Sequence, residues 1–290
     1  MRGSCFRWLA TAGLGVALAG CGTEAAEDRA AETQVASETS PPPPALDLER
    51  LEVVDLTHSL GPDSLFWPTE TRGFVLERTA WGQTEGGYFY AAHYLSMPEH
   101  GGTHLDAPLH FGEGQQATDA VPLDRLIGPV VVLDVSEQAA ENADYELTSA
   151  DVQAWEAEHG AVPAGALVFL RTGWSARWPD AERYFGNTGP GDVQNLHFPS
   201  YGEEGARYLV TERKVAVLGV DTASIDYGQS GDFVVHRLAA MANVPGLENL
   251  THLDRLPATG AFAVALPVKI AGGSGGPARV AALVPRATEP

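Results

Sequence analysis

The stretch His100-Gly101-Gly102-Thr103-His104-Leu105-Asp106-Ala107-Pro108-Leu109-His110-Phe111 gathers three of the chain's nine histidines and an aspartate within 11 residues. A helix would put His100 and His104 on one face but turn Asp106 away. Gly101-Gly102 and Pro108 also oppose a helix. A straight strand would place all four on one face, yet residues four apart would lie roughly 13 Å from each other. The spacing therefore predicts a turn at Gly101-Gly102 that folds His100 back beside His104, with His104 and Asp106 projecting from one strand face. Pro108 bends the chain again and lets His110 approach. Imidazole and carboxylate donors of this kind suit Zn²⁺ or Mn²⁺.

The rest of the composition narrows the chemistry. The chain has 290 residues and a formal charge of −20, from 38 acidic against 18 basic residues. Only Lys214 and Lys269 are lysines. Such a chain is not built to bind nucleic acid, where affinity comes mainly from Lys and Arg on phosphates. The two cysteines, Cys5 and Cys21, both lie at the N-terminus. Beyond them a disulfide framework, a thiolate metal site and a cysteine nucleophile are excluded.

Residues 1–20 have the form of a secretory signal. Arg2 and Arg7 precede an apolar stretch from Trp8 to Ala19 that is too short to span a bilayer comfortably. It ends Leu18-Ala19-Gly20-Cys21, which resembles a bacterial lipobox with Cys21 as the lipid anchor. The expectation is an exported protein, attached to the bacterial envelope through that lipid alone. Residues 21–50 are rich in Ala, Glu, Thr and Ser and contain Pro41-Pro42-Pro43-Pro44, a tether rather than a core. Residues 51–285 are globular in composition. Apolar runs predict strands over 51–56, 130–135, 166–170, 215–220 and 261–266. Between them, helices are expected over 148–159, 202–212 and 232–243. The alternation indicates an α/β single domain, a mixed β-sheet core flanked by helices.

The motif from His100 to His110 resembles the His-x-Gly-Thr-His-x-Asp-x-Pro-x-His signature of the metal-dependent cyclase family, which includes bacterial kynurenine formamidases and isatin hydrolases. It matches at His100, Gly102, Thr103, His104, Asp106, Pro108 and His110. Asp55-Leu56-Thr57-His58-Ser59-Leu60 with Phe66-Trp67-Pro68, Arg171-Thr172-Gly173-Trp174 and Leu218 to Asp226 extend the likeness over most of residues 53–283. The resemblance implies a swivelling β/β/α fold and metal binding by His100, His104 and Asp106, joined by His236 and Glu248. Asp106 would bridge two ions where two are present. It also implies a homodimer or homotetramer and an aromatic pocket residue at Trp67, next to Phe66.

Taken alone, His236 on its apolar helix fits a satisfied core histidine and Glu248 a loop acid. His110 is the candidate general base and acid, since an imidazole titrates near working pH. Its other readings are a ligand or an orienting group. The expected reaction is hydrolysis of an amide C–N bond in a small aryl substrate by a metal-activated water. An arylformamidase leads, with a cyclic amide such as isatin or a lactone as the close alternative. A non-catalytic metal- or ligand-binding lipoprotein is the remaining one. Trp81, Tyr88, Phe89 and Tyr90 are either pocket lining or core. The polar segment 174–197 is expected as a loop over the site or at a subunit contact. Two features depart from the family: the apparent export signal, and a segment 84–93 with no matching pattern.

Overall fold

Strands β1 (Leu51–Asp55), β2 (Val75–Gln83), β3 (Phe89–Ser96), β4 (His104–Asp106), β5 (Ile127–Asp134), β6 (Glu146–Leu147), β7 (Leu167–Arg171), β8 (Ser200–Tyr201), β9 (Val217–Val220), β10 (Gly246–Glu248), β11 (Phe262–Pro267) and β12 (Gly275–Pro285) carry the architecture. The structure is a computed structural model that describes residues 47–186 and 191–286. The signal segment, Cys21 and the tether up to residue 46 lie outside the described residues.

Eight strands form one mixed sheet in the order β1-β12-β11-β5-β7-β9-β10-β4. Its length at β12 closes it. The outer part of β12 pairs with β11 and β1, while Gly275–Pro277 pairs with β4 at the far edge. Seven of the eight strands thus close a barrel, with β1 attached outside. Closure was not foreseen from the sequence, because it depends on one strand serving two distant edges.

The β5-β7-β9-β10 portion is parallel. Its strands are buried on both faces, which is why they appear as unbroken apolar runs. Val130, Val132, Leu167, Phe169 and Val217 point into the barrel, where Ala263, Ala265 and Ala282 leave room for them. Val131, Leu133, Val168, Leu170 and Leu218 point outward under the helices. These are α1 (Ser136–Glu141), α2 (Ser149–His159), α3 (Ala181–Phe185), α4 (Glu203–Arg207) and α5 (Val234–Met241). Helix α2 starts at Thr148, whose hydroxyl accepts from the Asp151 amide while the Asp151 carboxylate accepts from Thr148. That capping box and Gly160 set the limits expected from sequence. The predicted helix over 202–212 is α4 followed by a π-helical turn over Tyr208–Arg213.

Two expectations need correction. Segment 174–197 is not a simple loop. Among its described residues, Trp174, Tyr184, Phe185 and Leu196 are buried with Phe198 in a separate aromatic cluster. Trp81, Tyr88, Phe89 and Tyr90 are neither core nor pocket lining. They stand exposed on the β2–β3 hairpin.

Candidate metal centre

The site forms where β4 meets β10 at the carboxyl ends of the parallel strands, a usual place for ligands in α/β sheets. Glu248 is directly opposite His104 in the antiparallel β4–β10 register, so their side chains share a face. Asp106 has glycines opposite it on both neighbouring strands, Gly246 and Gly275. Space is therefore left for histidines to close over it. A Cβ at Gly275 would lie 2.5 Å from the His100 ring.

The predicted turn is present. Gly102 has φ +59°, a left-handed conformation that a side chain would strain. It brings the His100 ring within 5.4 Å of His104, centroid to centroid.

Three imidazoles converge on two carboxylates. His104 Nε2 lies 3.2 Å from Asp106 Oδ1 and 3.4 Å from Glu248 Oε2. His236 Nε2 lies 3.0 Å from Asp106 Oδ2 and 3.1 Å from Glu248 Oε1. His100 Nδ1 lies 2.6 Å from Asp106 Oδ1. All of these groups except His100 are buried. His110 stacks on His100 at 3.9 Å, its ring reached by solvent from the cavity.

Each of the three imidazoles is fixed from behind through its other nitrogen. His104 Nδ1 donates to the Gly102 carbonyl at 2.9 Å. His236 Nδ1 donates to Asp226 Oδ2 at 2.7 Å. His100 Nε2 donates to the Ser274 hydroxyl at 3.0 Å, which itself donates to Glu99 at 2.6 Å. The remaining nitrogen of each ring faces the carboxylates. That is the arrangement by which outer partners orient metal-binding histidines. His104, Asp106 and Glu248 present donor atoms within 4.8 Å of one another, as do His100, Asp106 and His110, and these nitrogen and carboxylate donors are able to hold a metal ion.

The electrostatics agree. Burial opposes protonation of His104, but the Asp106 and Glu248 carboxylates overcome it and raise the imidazole to about 9. His236 is likewise raised despite burial, by Asp106, Asp226 and Glu248. Asp106 is held well below the usual carboxylate range, burial being outweighed by His100 and His104. Glu248 is pushed up by burial and by the Asp106 charge. His110 is lowered to about 4, chiefly by desolvation, with the neighbouring histidines adding to it and Asp106 opposing.

A cavity of about 460 Å³ opens over these groups. Phe66, Trp67, Phe111, Phe185 and Phe233 contribute to its walls. Trp67 and Phe233 are 6.1 Å apart, Phe233 and Phe111 5.1 Å. Ser224, Asn249, Glu70 and Glu99 add polar atoms, and among the described residues no Lys or Arg lines it. Every predicted site residue except Cys21 is at this cavity: His100, His104, Asp106, His110, His236, Glu248, Trp67 and Phe66.

Sequence reasoning missed Asp226, Ser274, Glu99 and Phe233. Asp226 accepts from the backbone amides of Val235 and His236 at the start of α5, and from the His236 ring. An acid eight residues before an apolar helical run that holds one histidine was a weak signal for it. Ser274 and Phe233 carried none.

A family model described as "Putative cyclase" matches residues 54–227. The chain is similar to an isatin hydrolase of Roseibium aggregatum, 37% identical over 253 residues, covering 82% of this chain and 93% of that one. A kynurenine formamidase of Salinibacter ruber is 28% identical over 231 residues, 79% of this chain and 96% of that one. Among solved structures, an isatin hydrolase bound to the product analogue thioisatinate superposes with a TM-score of 0.75 at 36% identity, over 82% of this chain and 94% of that one.

Proposed function

The chain belongs to the cyclase family, and on that premise we propose that it is a metal-dependent hydrolase of an amide C–N bond in a compact aromatic substrate. The observation that carries this reading is the convergence of three back-braced imidazoles and two buried carboxylates at the floor of an aromatic-walled cavity. His100, His104, Asp106, His236 and Glu248 would hold one or two divalent ions. Three imidazoles favour Zn²⁺, and the carboxylates admit Mn²⁺. A bound ion of this kind supplies a water active at neutral pH and polarises a carbonyl.

The chain's own groups do the rest. His110 projects into the cavity beside the donor cluster and is available as a neutral imidazole. It takes a proton from the attacking water and returns it to the leaving nitrogen. Trp67, Phe111 and Phe233 clamp an aryl ring and exclude bulk water from the carbonyl.

Cavity charge selects between substrates. Glu70 and Glu99 line it, and among the described residues no Lys or Arg there can pair with a substrate carboxylate. A neutral ring amide such as isatin needs no such partner, whereas N-formylkynurenine is a zwitterion whose amino-acid carboxylate would be left without one. Parallel assays of the two test this. Higher kcat/KM on isatin is expected. Higher kcat/KM on N-formylkynurenine would restore the formamidase reading, and no turnover of either by metal-loaded protein would remove both.

The swivelling β/β/α class and a homo-oligomeric state are proposed on the same family ground. Export and lipid attachment at Cys21 are proposed from the N-terminal sequence alone. Mass spectrometry of the envelope-associated protein should find a lipidated Cys21 as its first residue, whereas an intact Met1 would overturn the assignment.

A further inference from the structure

Asn249 follows the candidate ligand Glu248 and takes a left-handed conformation, φ +55°, which asparagine tolerates better than most residues. Its backbone is held on both sides. Its amide donates to the Thr222 carbonyl at 2.8 Å, and its carbonyl accepts from the Thr103 hydroxyl at 2.6 Å. The buried side chain reaches two further partners. Nδ2 donates to the Gly102 carbonyl at 2.9 Å, and Oδ1 accepts from the Tyr184 hydroxyl at 2.8 Å. The chemistry of the partners fixes the direction of both bonds. A carbonyl only accepts, so the NH₂ group must face Gly102, and the amide oxygen then obliges Tyr184 to donate. The Asp221 carbonyl also lies 3.2 Å from that hydroxyl, but a phenol has one proton and Oδ1 is nearer.

The Gly102 carbonyl is also the acceptor that holds His104 Nδ1. It belongs to a turn in which two successive glycines have φ of +153° and +59°, the backbone with least steric resistance to rotation. The Asn249 amide supplies the restraint that the glycines lack. With Nδ1 kept protonated on a fixed carbonyl, His104 Nε2 is left to face Asp106 and Glu248. Tyr184 is anchored in its turn. It is fully buried, its carbonyl accepts from Trp174 Nε1 at 2.8 Å, and Trp178 packs edge-on against its ring at 5.5 Å. The next residue, Phe185, lines the cavity. One chain of contacts therefore runs from the aryl wall through Tyr184, Asn249 and the Gly102 carbonyl to a candidate metal ligand.

We propose that Tyr184 and Asn249 are positioning residues for His104, the phenol orienting the amide and the amide fixing the Gly102 carbonyl that aims the imidazole at the metal. The inference rests on the metal-dependent reading above and gives the packed aromatic segment around α3 a second task beyond walling the cavity. Two substitutions isolate the bridge. Tyr184→Phe keeps the ring in its cluster and removes only the hydroxyl. Asn249→Gly removes the amide and keeps a residue at ease in the left-handed conformation.

Competition with a chelator for Zn²⁺ tests the proposal on the purified full chain, with melting of the metal-free proteins followed alongside. Asn249→Gly should weaken Zn²⁺ binding about 10-fold, the lower end for an outer partner of a ligand, and Tyr184→Phe about 3–10-fold. The two together should bind no more weakly than Asn249→Gly alone, because the hydroxyl acts only through the amide. Tyr201→Phe is the control. Its hydroxyl is equally buried but bonds the Val168 and Gly219 carbonyls, so its loss should lower melting and leave Zn²⁺ affinity unchanged. In Co²⁺-loaded protein the visible absorption, which reports ligand geometry, should shift in Asn249→Gly and Tyr184→Phe and not in Tyr201→Phe. Unchanged Zn²⁺ affinity in Tyr184→Phe, additive losses in the double variant, or an equal loss in Tyr201→Phe overturns the proposal and leaves the hydrolase reading standing. Unsubstituted protein that binds neither Zn²⁺ nor Co²⁺ overturns both.

Discussion

Asp226 is the most informative residue to change, because it touches the candidate metal centre only through His236. Its carboxylate accepts from the Val235 amide at 2.9 Å, the His236 amide at 2.9 Å, the His236 ring at 2.7 Å and the Ser230 hydroxyl at 3.1 Å. The carboxylate is kept charged below its usual range, burial being outweighed by the His236 interactions. Asp226→Ala removes all four acceptor contacts at once. Two amides at the start of α5 lose their cap, and the His236 ring is free to rotate or change tautomer. Loss of the cap and of these buried hydrogen bonds should cost about 2–4 kcal/mol of stability. For a domain of this size that lowers Tm by roughly 5–15 °C. Loss of an outer partner typically weakens metal binding about 10–100-fold, or about 1.4–2.8 kcal/mol.

Asp226→Asn retains the shape and can still accept from one side, so it should fall between the two proteins. The assay is metal affinity by chelator competition, with melting measured on metal-free protein. The decisive comparison is made in a His236→Ala background, where Asp226→Ala should weaken metal binding no further. Undiminished affinity in Asp226→Ala, or an equal loss in the His236→Ala background, would refute the claim that Asp226 acts by aiming His236.

Three further outcomes are expected. His110→Ala should retain its metal and lose about 10²–10⁴-fold in kcat; loss of metal on elemental analysis would make His110 a ligand instead. Gly275→Ala should weaken metal binding and cost about 1–3 kcal/mol, because the new Cβ meets the His100 ring at 2.5 Å and the Leu105 carbonyl at 2.7 Å; unchanged affinity and melting would contradict the packing described. Glu156, bound by Arg213, is lowered to about 2 from 4.5. A depressed carboxylate stabilises fully above its unfolded value and loses that contribution as pH falls through the folded one. The stability gap between the unsubstituted protein and Glu156→Gln should thus shrink between pH 4.5 and 2, and a constant gap in urea titrations would count against the ion pair.

Much of this molecule was legible in its sequence because its signals are local. The parallel strands are apolar without interruption since both their faces are covered. Helix α2 announces itself through Thr148, Asp151 and Gly160. The turn at Gly101-Gly102 followed from distance alone, since no straight strand could bring His100 to His104. What was not legible is set by long-range register. Barrel closure rests on β12 pairing with both β11 and β4, and nothing within 275–285 declares two partners. Ser274 and Glu99 meet behind His100 from 175 positions apart. The hairpin did carry a local signal, the turn at Gly86-Gly87. Its apolar residues on both faces hid the alternation by which a half-buried strand is recognised.

The central claim is that five side chains from three separate segments form one metal centre for one or two divalent ions. Elemental analysis of natively purified protein, set beside Asp106→Asn, addresses it most directly. Asp106 lies within reach of all three imidazoles, so its carboxylate should be the donor the site can least lose. The expected result is stoichiometric Zn²⁺ or Mn²⁺ in the unsubstituted protein and its loss in a folded Asp106→Asn. Unsubstituted protein that is hydrolytically active and free of divalent metal would contradict the account.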